Sequence, residues 1–143
     1  MKFVGFVFNK ISAEKMKEFA EGMKFNTKIN FLSIESVKSN FLKIKEEIIK
    51  VNFSYTVSYD PDFAKIELAG DILISVEPKE AKNILTGWKE KKMSEDFRMP
   101  MFNLILRKSN IKALQLEEEL GLMPHIPLPY LDKDSFKENK TTN

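Results

Sequence analysis

Between Ile48 and Glu77 the chain alternates apolar and polar residues twice, with a turn signal between the two runs. In the first run Ile49, Val51, Phe53, Tyr55, Val57 and Tyr59 are apolar or aromatic, and Lys50, Asn52, Ser54, Thr56 and Ser58 are polar. In the second, Ala64, Ile66, Leu68, Gly70, Ile72, Ile74 and Val76 alternate with Lys65, Glu67, Asp71, Ser75 and Glu77. Successive side chains of a β-strand point to opposite faces, so each run has one apolar and one polar face. Asp60-Pro61-Asp62 separates them, with proline presetting φ and aspartate closing the turn through its side chain. The two apolar sets share a face only if an odd residue sits opposite an even one. Pairing Tyr59 with Ala64 does this and leaves Asp60 to Phe63 as a four-residue loop. Val57 then faces Ile66, Tyr55 faces Leu68 and Phe53 faces Gly70, and a one-residue slip would turn every apolar side chain outward. Gly70 makes room for the Phe53 ring or marks a bulge. Each arm spans about 35–40 Å at about 3.4 Å per residue, which predicts one large antiparallel sheet.

Upstream, Lys2 to Asn9 reads as a short strand apolar on both faces, through Phe3, Val4, Phe6, Val7 and Phe8. Such a strand needs cover on both sides, from helices or from another subunit. Ser12 to Met23 has a helical stripe of Met16, Phe19, Ala20 and Met23, with Ser12 as N-cap and Gly22 as stop. Phe25 to Val37 is a strand whose phase shifts between Phe31 and Leu32, which predicts a bulge. Asn40 to Ile48 reads as the irregular start of the long strand. Downstream, Pro78 ends the second arm and opens a helix with the stripe Ala81, Ile84, Leu85 and Trp88. A charged connector, Lys89 to Arg98, leads to a longer helix that begins at Pro100 and ends before Gly121. Its stripe is Phe102, Ile105, Leu106, Ser109, Ala113, Leu116 and Leu120, widened by Met101, Leu104, Ile111 and Leu114. Glu117, Glu118 and Glu119 fall in its last turn, where the helix dipole disfavours negative charge. Leu122 to Leu131 holds three prolines and is predicted to lie extended, setting Leu122, Ile126, Leu128, Tyr130 and Leu131 on an apolar surface.

Length and composition fit one domain over residues 1–131 with a flexible polar tail over 132–143, in a chain of 143 residues. The formal net charge of +2 draws neither nucleic acid nor an anionic membrane strongly. With no cysteine, thiolate nucleophiles, disulfides and zinc–thiolate sites are excluded. No apolar run approaches the roughly 20 residues of a membrane span, and the N-terminus does not read as a signal peptide, so a cytoplasmic location is expected. The residues offer little catalytic chemistry. His125, the single histidine, lies between Pro124 and Pro127 with no nucleophile motif, and reads as a surface or packing residue. The scattered glycines make no phosphate loop, and Asp60 and Asp62 serve the turn. Glu46 and Glu47 would point to opposite faces of a strand. Lys92-Met93-Ser94 matches the KMS element of class I aminoacyl-tRNA synthetases, but the paired-histidine partner motif is missing. No catalytic residue, cofactor or metal site is predicted. Phe53, Tyr55 and Tyr59 on a sheet leave single-stranded nucleic-acid binding as an alternative, and an oligomeric scaffold as another.

The run FSYTVSYDPDFAKIELAGDILISV (Phe53 to Val76) is similar to the central hairpin of the SecB family of export chaperones. The helix from Pro100 to Leu120 followed by HIPLPYL (His125 to Leu131) is similar to that family's last helix and Leu-Pro segment. The resemblance spans residues 25–131. It implies an α+β fold, a four-stranded antiparallel sheet with helices packed on one face. It also implies a dimer-of-dimers homo-oligomer whose apolar grooves hold unfolded polypeptides without ATP. Its third-strand positions correspond to Ile66 and Leu68, and a groove between the sheet and His125 to Leu131 adds Ile126, Leu128, Tyr130 and Leu131 as peptide-binding residues. The family's acidic, cysteine-containing tail has no counterpart here. The resemblance therefore fits a holdase for export, for general clients or for one dedicated partner such as an antitoxin.

Overall fold

A computed structural model describes residues 1–18, 21–37 and 46–134. Four strands and two helices follow in order: β1 (Lys2–Lys15), β2 (Lys24–Val37), β3 (Glu47–Asp60), β4 (Ala64–Val76), α1 (Pro78–Lys89) and α2 (Glu95–Leu120). The strands form one antiparallel sheet in the order β1-β4-β3-β2. The fold is α+β, with the helices on one face of the sheet.

The hairpin register is the one the alternation dictates. Tyr59 pairs with Ala64, Val57 with Ile66, Tyr55 with Leu68 and Phe53 with Gly70. The odd residues of β3 from Ile49 to Tyr59 and the even residues of β4 are buried, and form one core with Ala81 and Ile84 of α1 and Phe97, Met101, Ile105 and Ala113 of α2. The other sheet face is polar and tied by side chains. Asn52 Nδ2 donates to Asp71 Oδ1 and Asn9 Nδ2 to Asp71 Oδ2, both at 2.8 Å. The expected bulge in β2 lies between Phe31 and Ser33.

Three expectations are corrected. The helix over Ser12 to Met23 is absent among its described residues, because β1 continues to Lys15 and pairs Ile11 with Leu68, Ala13 with Ile66 and Lys15 with Ala64. A twelve-residue helix is marginal in water, and a ready β4 edge offers the same backbone groups a full ladder. Phe19 and Ala20 lie outside the described residues, as does the part of the Asn40 to Ile48 stretch before residue 46. Second, α2 begins at Glu95, five residues before Pro100. Glu95 and Asp96 complement the N-terminal end of the dipole and Phe97 is buried, so the extra turn is held although Pro100 removes one helical hydrogen bond. Third, the buried row of α2 is Phe97, Met101, Ile105, Ser109, Ala113 and Glu117, a strict spacing of four. Phe102, Leu116 and Leu120 flank it half-buried, and Leu106 is exposed.

The strands at the two edges, β1 and β2, are 14 residues each. Phe6 and Phe8 turn inward onto Phe53, with ring centroids 5.3 and 6.3 Å away. Val4 and Val7 stay exposed, so one side of β1 lacks the cover that its sequence calls for.

Candidate functional site

The site is built where α2 ends and the chain turns back across the sheet. Gly121 adopts φ 66°, and Leu122 N–H reaches Glu117 O at 2.8 Å, which closes the helix and buries Leu122. Four residues on, the His125 side chain enters the core and is 1% exposed. Its Nδ1 lies 2.7 Å from Glu117 Oε1, a carboxylate that is itself 1% exposed. Its Nε2 lies 2.8 Å from the Tyr55 hydroxyl and 3.0 Å from Asn110 Oδ1. Tyr55 donates to Asn110 Oδ1 at 2.5 Å, and Tyr59 donates to Glu117 Oε2 with Met123 O 2.8 Å from the same hydroxyl. Burial raises the Tyr55 and Tyr59 phenols well above their ordinary range, and the Glu117 charge raises both further. Both phenols therefore stay protonated and serve as donors at neutral pH.

This cluster fastens the segment after α2 to the sheet. Tyr55, Tyr59, Asn110 and Glu117 are all accounted for by each other and by His125. The expectation that His125 is a packing residue is met; the alternative surface position is not. The sequence signal for Glu117 was present. Ile105, Ser109 and Ala113 step by four, and the next step is Glu117. Two tyrosines on a core face also require buried partners for their hydroxyls.

Beyond Ile126, which is half-buried, the segment leaves the body. Leu128 is exposed, Tyr130 is 82% exposed and Leu131 69%. The expected docking of these three along the chain's own surface does not occur. Three prolines hold the stretch away from helix and sheet. Ile66 and Leu68, expected in the peptide-binding set, are fully buried in the core and open to no ligand in this chain. The structure thus does not bring the six expected peptide-binding residues into one surface. Phe53, Tyr55 and Tyr59 are also fully buried, so these rings offer no face on which bases could stack. Among the described residues no group of three or more His, Cys, Asp or Glu could hold a metal ion, and no helix is long and apolar enough to cross a membrane.

No family model matches the chain and no curated protein matches it. Among solved structures, the fold matches that of the Mycobacterium tuberculosis SecB-like chaperone Rv1957, solved with a ChAD peptide from the Rv1956 HigA1 antitoxin. The TM-score is 0.52 at 14% identity, over 92% of this chain and 91% of that one. The match extends over nearly the full length of both chains, which supports a SecB-like sheet-and-helix architecture.

Proposed function

We propose that the protein is an ATP-independent holdase that binds extended apolar segments of unfolded polypeptides. The observation that carries this reading is the placement of exposed apolar side chains along open backbone. Phe3, Val4, Val7 and Ile11 lie exposed on edge strand β1, Phe25 and Leu32 on edge strand β2, and Leu128, Tyr130 and Leu131 on the segment after α2. An edge strand offers unpaired N–H and C=O groups to any extended chain, while apolar neighbours take its side chains without demanding a sequence. A fold shared with a chaperone that holds an antitoxin peptide supports the same reading. With Ile66 and Leu68 buried, the candidate peptide-binding residues that face outward are Leu128, Tyr130 and Leu131, with Ile126 at their base.

The same apolar edges favour assembly into a homo-oligomer, a dimer or a tetramer, working in the cytoplasm by binding rather than by catalysis. The deciding measurement is light scattering of a chemically unfolded client diluted into buffer without nucleotide. Suppression at near-equimolar chaperone is expected. Full aggregation of several different clients in its presence would defeat the reading.

A further inference from the structure

A second surface feature lies at the corner between α1 and α2. Trp88, Lys91, Met93 and Arg98 line an open cleft of about 360 Å³, near the small end of the range for ligand clefts. Its lining combines two large apolar side chains, Trp88 and Met93, with two cationic residues, Lys91 and Arg98. Arg98 is paired only loosely, 3.8 Å from an exposed Glu95, and Lys91 forms no ion pair among the described residues.

Lys91 is also held in an unusual backbone state. Both helices end in the same hydrogen-bond pattern. After α1, Lys91 N–H bonds Trp88 O and Lys92 N–H bonds Gly87 O; after α2, Gly121 N–H bonds Glu118 O and Leu122 N–H bonds Glu117 O. The left-handed residue of this motif is usually glycine, which has no Cβ to clash. Gly121 meets that preference at φ 66°, whereas α1 places a lysine there at φ 57°. The disfavoured choice puts a lysine in the lining of the cleft that Trp88 shares.

We infer that this corner is an anchor site for polypeptide segments in which a large apolar side chain is followed by an acidic one. The inference rests on the holdase reading and narrows its clients. The apolar side chain would lie against Trp88 and Met93, and the neighbouring carboxylate would meet Lys91 and Arg98. Charge complementarity selects this occupant over a purely apolar one, because the cleft's polar rim carries two positive groups.

Trp88 is the chain's single tryptophan, so its emission reports occupancy directly. The probes are a twelve-residue, tryptophan-free peptide with two Phe-Asp pairs and the same peptide with Asn for Asp. The Asp peptide is expected to shift Trp88 emission and to bind about five- to tenfold more tightly than the Asn peptide, a gap that closes at high salt. Lys91→Gly and Arg98→Ala should each narrow that gap. Lys91→Gly should also leave the urea midpoint unchanged or raised, since it relieves the helix cap. Equal affinity for the two peptides, or a gap that survives both substitutions, would overturn the inference. So would a single-stranded RNA dodecamer that saturates the Trp88 signal at lower concentration than the Asp peptide. If calorimetry detects peptide binding while Trp88 stays silent, the anchor site falls and the holdase reading stands. If no peptide binds and no client is protected, both fall.

Discussion

Glu117 and His125 lie 2.7 Å apart and are sealed from water, so each is the other's buried hydrogen-bond partner. Nε2, the Tyr55 oxygen and Asn110 Oδ1 form a triangle around the Tyr55 hydroxyl proton, while Nδ1 faces Glu117 Oε1. Removing one member of such a pair strands the other. His125→Ala is expected to cost about 3–5 kcal/mol in urea denaturation. It should also release residues 121–126 to hydrogen exchange well before the sheet. A loss below about 1 kcal/mol would mean that water already serves the carboxylate. Ser109 presents the opposite case. Its Oγ is buried on the same helix row with no hydrogen-bond partner among the described residues. Ser109→Ala should therefore be neutral or raise stability by up to about 1 kcal/mol, because an unpaired hydroxyl costs desolvation and returns nothing. On the outer face, Glu67 receives Lys10 and Lys65, and these bonds lower its carboxyl from 4.5 to about 2. A lowered carboxyl adds stability that is complete above its ordinary value and is lost as pH falls through its folded one. The stability gap between wild type and Glu67→Gln should thus be present at pH 6 and close between about pH 4.5 and 2. Since the three side chains are 30 to 55% exposed, the gap should be no more than about 1 kcal/mol and shrink with salt.

Among the elements, the β3–β4 hairpin carries the most weight and was the most legible. Its alternation admits one register, and Phe53 opposite Gly70 follows from it. The glycine does more than admit a ring. A Cβ there would lie 2.1 Å from Val7 O of β1, so the absence of a side chain lets the first strand dock. Gly70→Ala should cost more than about 2 kcal/mol and expose β1 amides to exchange, whereas the β2–β3 ladder keeps its protection. Legibility failed where local pattern and tertiary pairing disagreed. Met16, Phe19, Ala20 and Met23 make a fair helical stripe, yet Ile11 and Ala13 just upstream fit the core face of a strand, and pairing with β4 decided for the strand at least to Lys15. In α2 the apolar residues surround the helix so broadly that periodicity could not centre the buried row. Glu117 lies outside the apolar stripe, and its carboxyl group is what fastens the segment that follows.

On the scale of the whole molecule, the sheet, its helices and the anchored start of the segment after α2 account for the buried residues, while the expected peptide-binding set divides. Ile66 and Leu68 went to the core because the third-strand positions carried over by resemblance lie on the helix-covered face here. Sequence alone could not separate that face from a binding face, since both are apolar. Leu128, Tyr130 and Leu131 went outward because His125 is the last buried side chain before them. This division makes a clean test possible. Since Leu128 and Tyr130 are exposed, replacing both with Ser should leave the circular dichroism spectrum unchanged and stability within about 0.5 kcal/mol. If the segment is a wall of the client site, the double variant should assemble as wild type does in sedimentation and lose most of its suppression of client aggregation. If it is instead covered by a second copy, the variant should dissociate to smaller species, with client protection altered as a consequence. A variant that stays folded, assembles normally and protects clients as well as wild type would remove the segment from the site. The exposed apolar rows of β1 and β2 would then be left as the surface to which an unfolded chain binds.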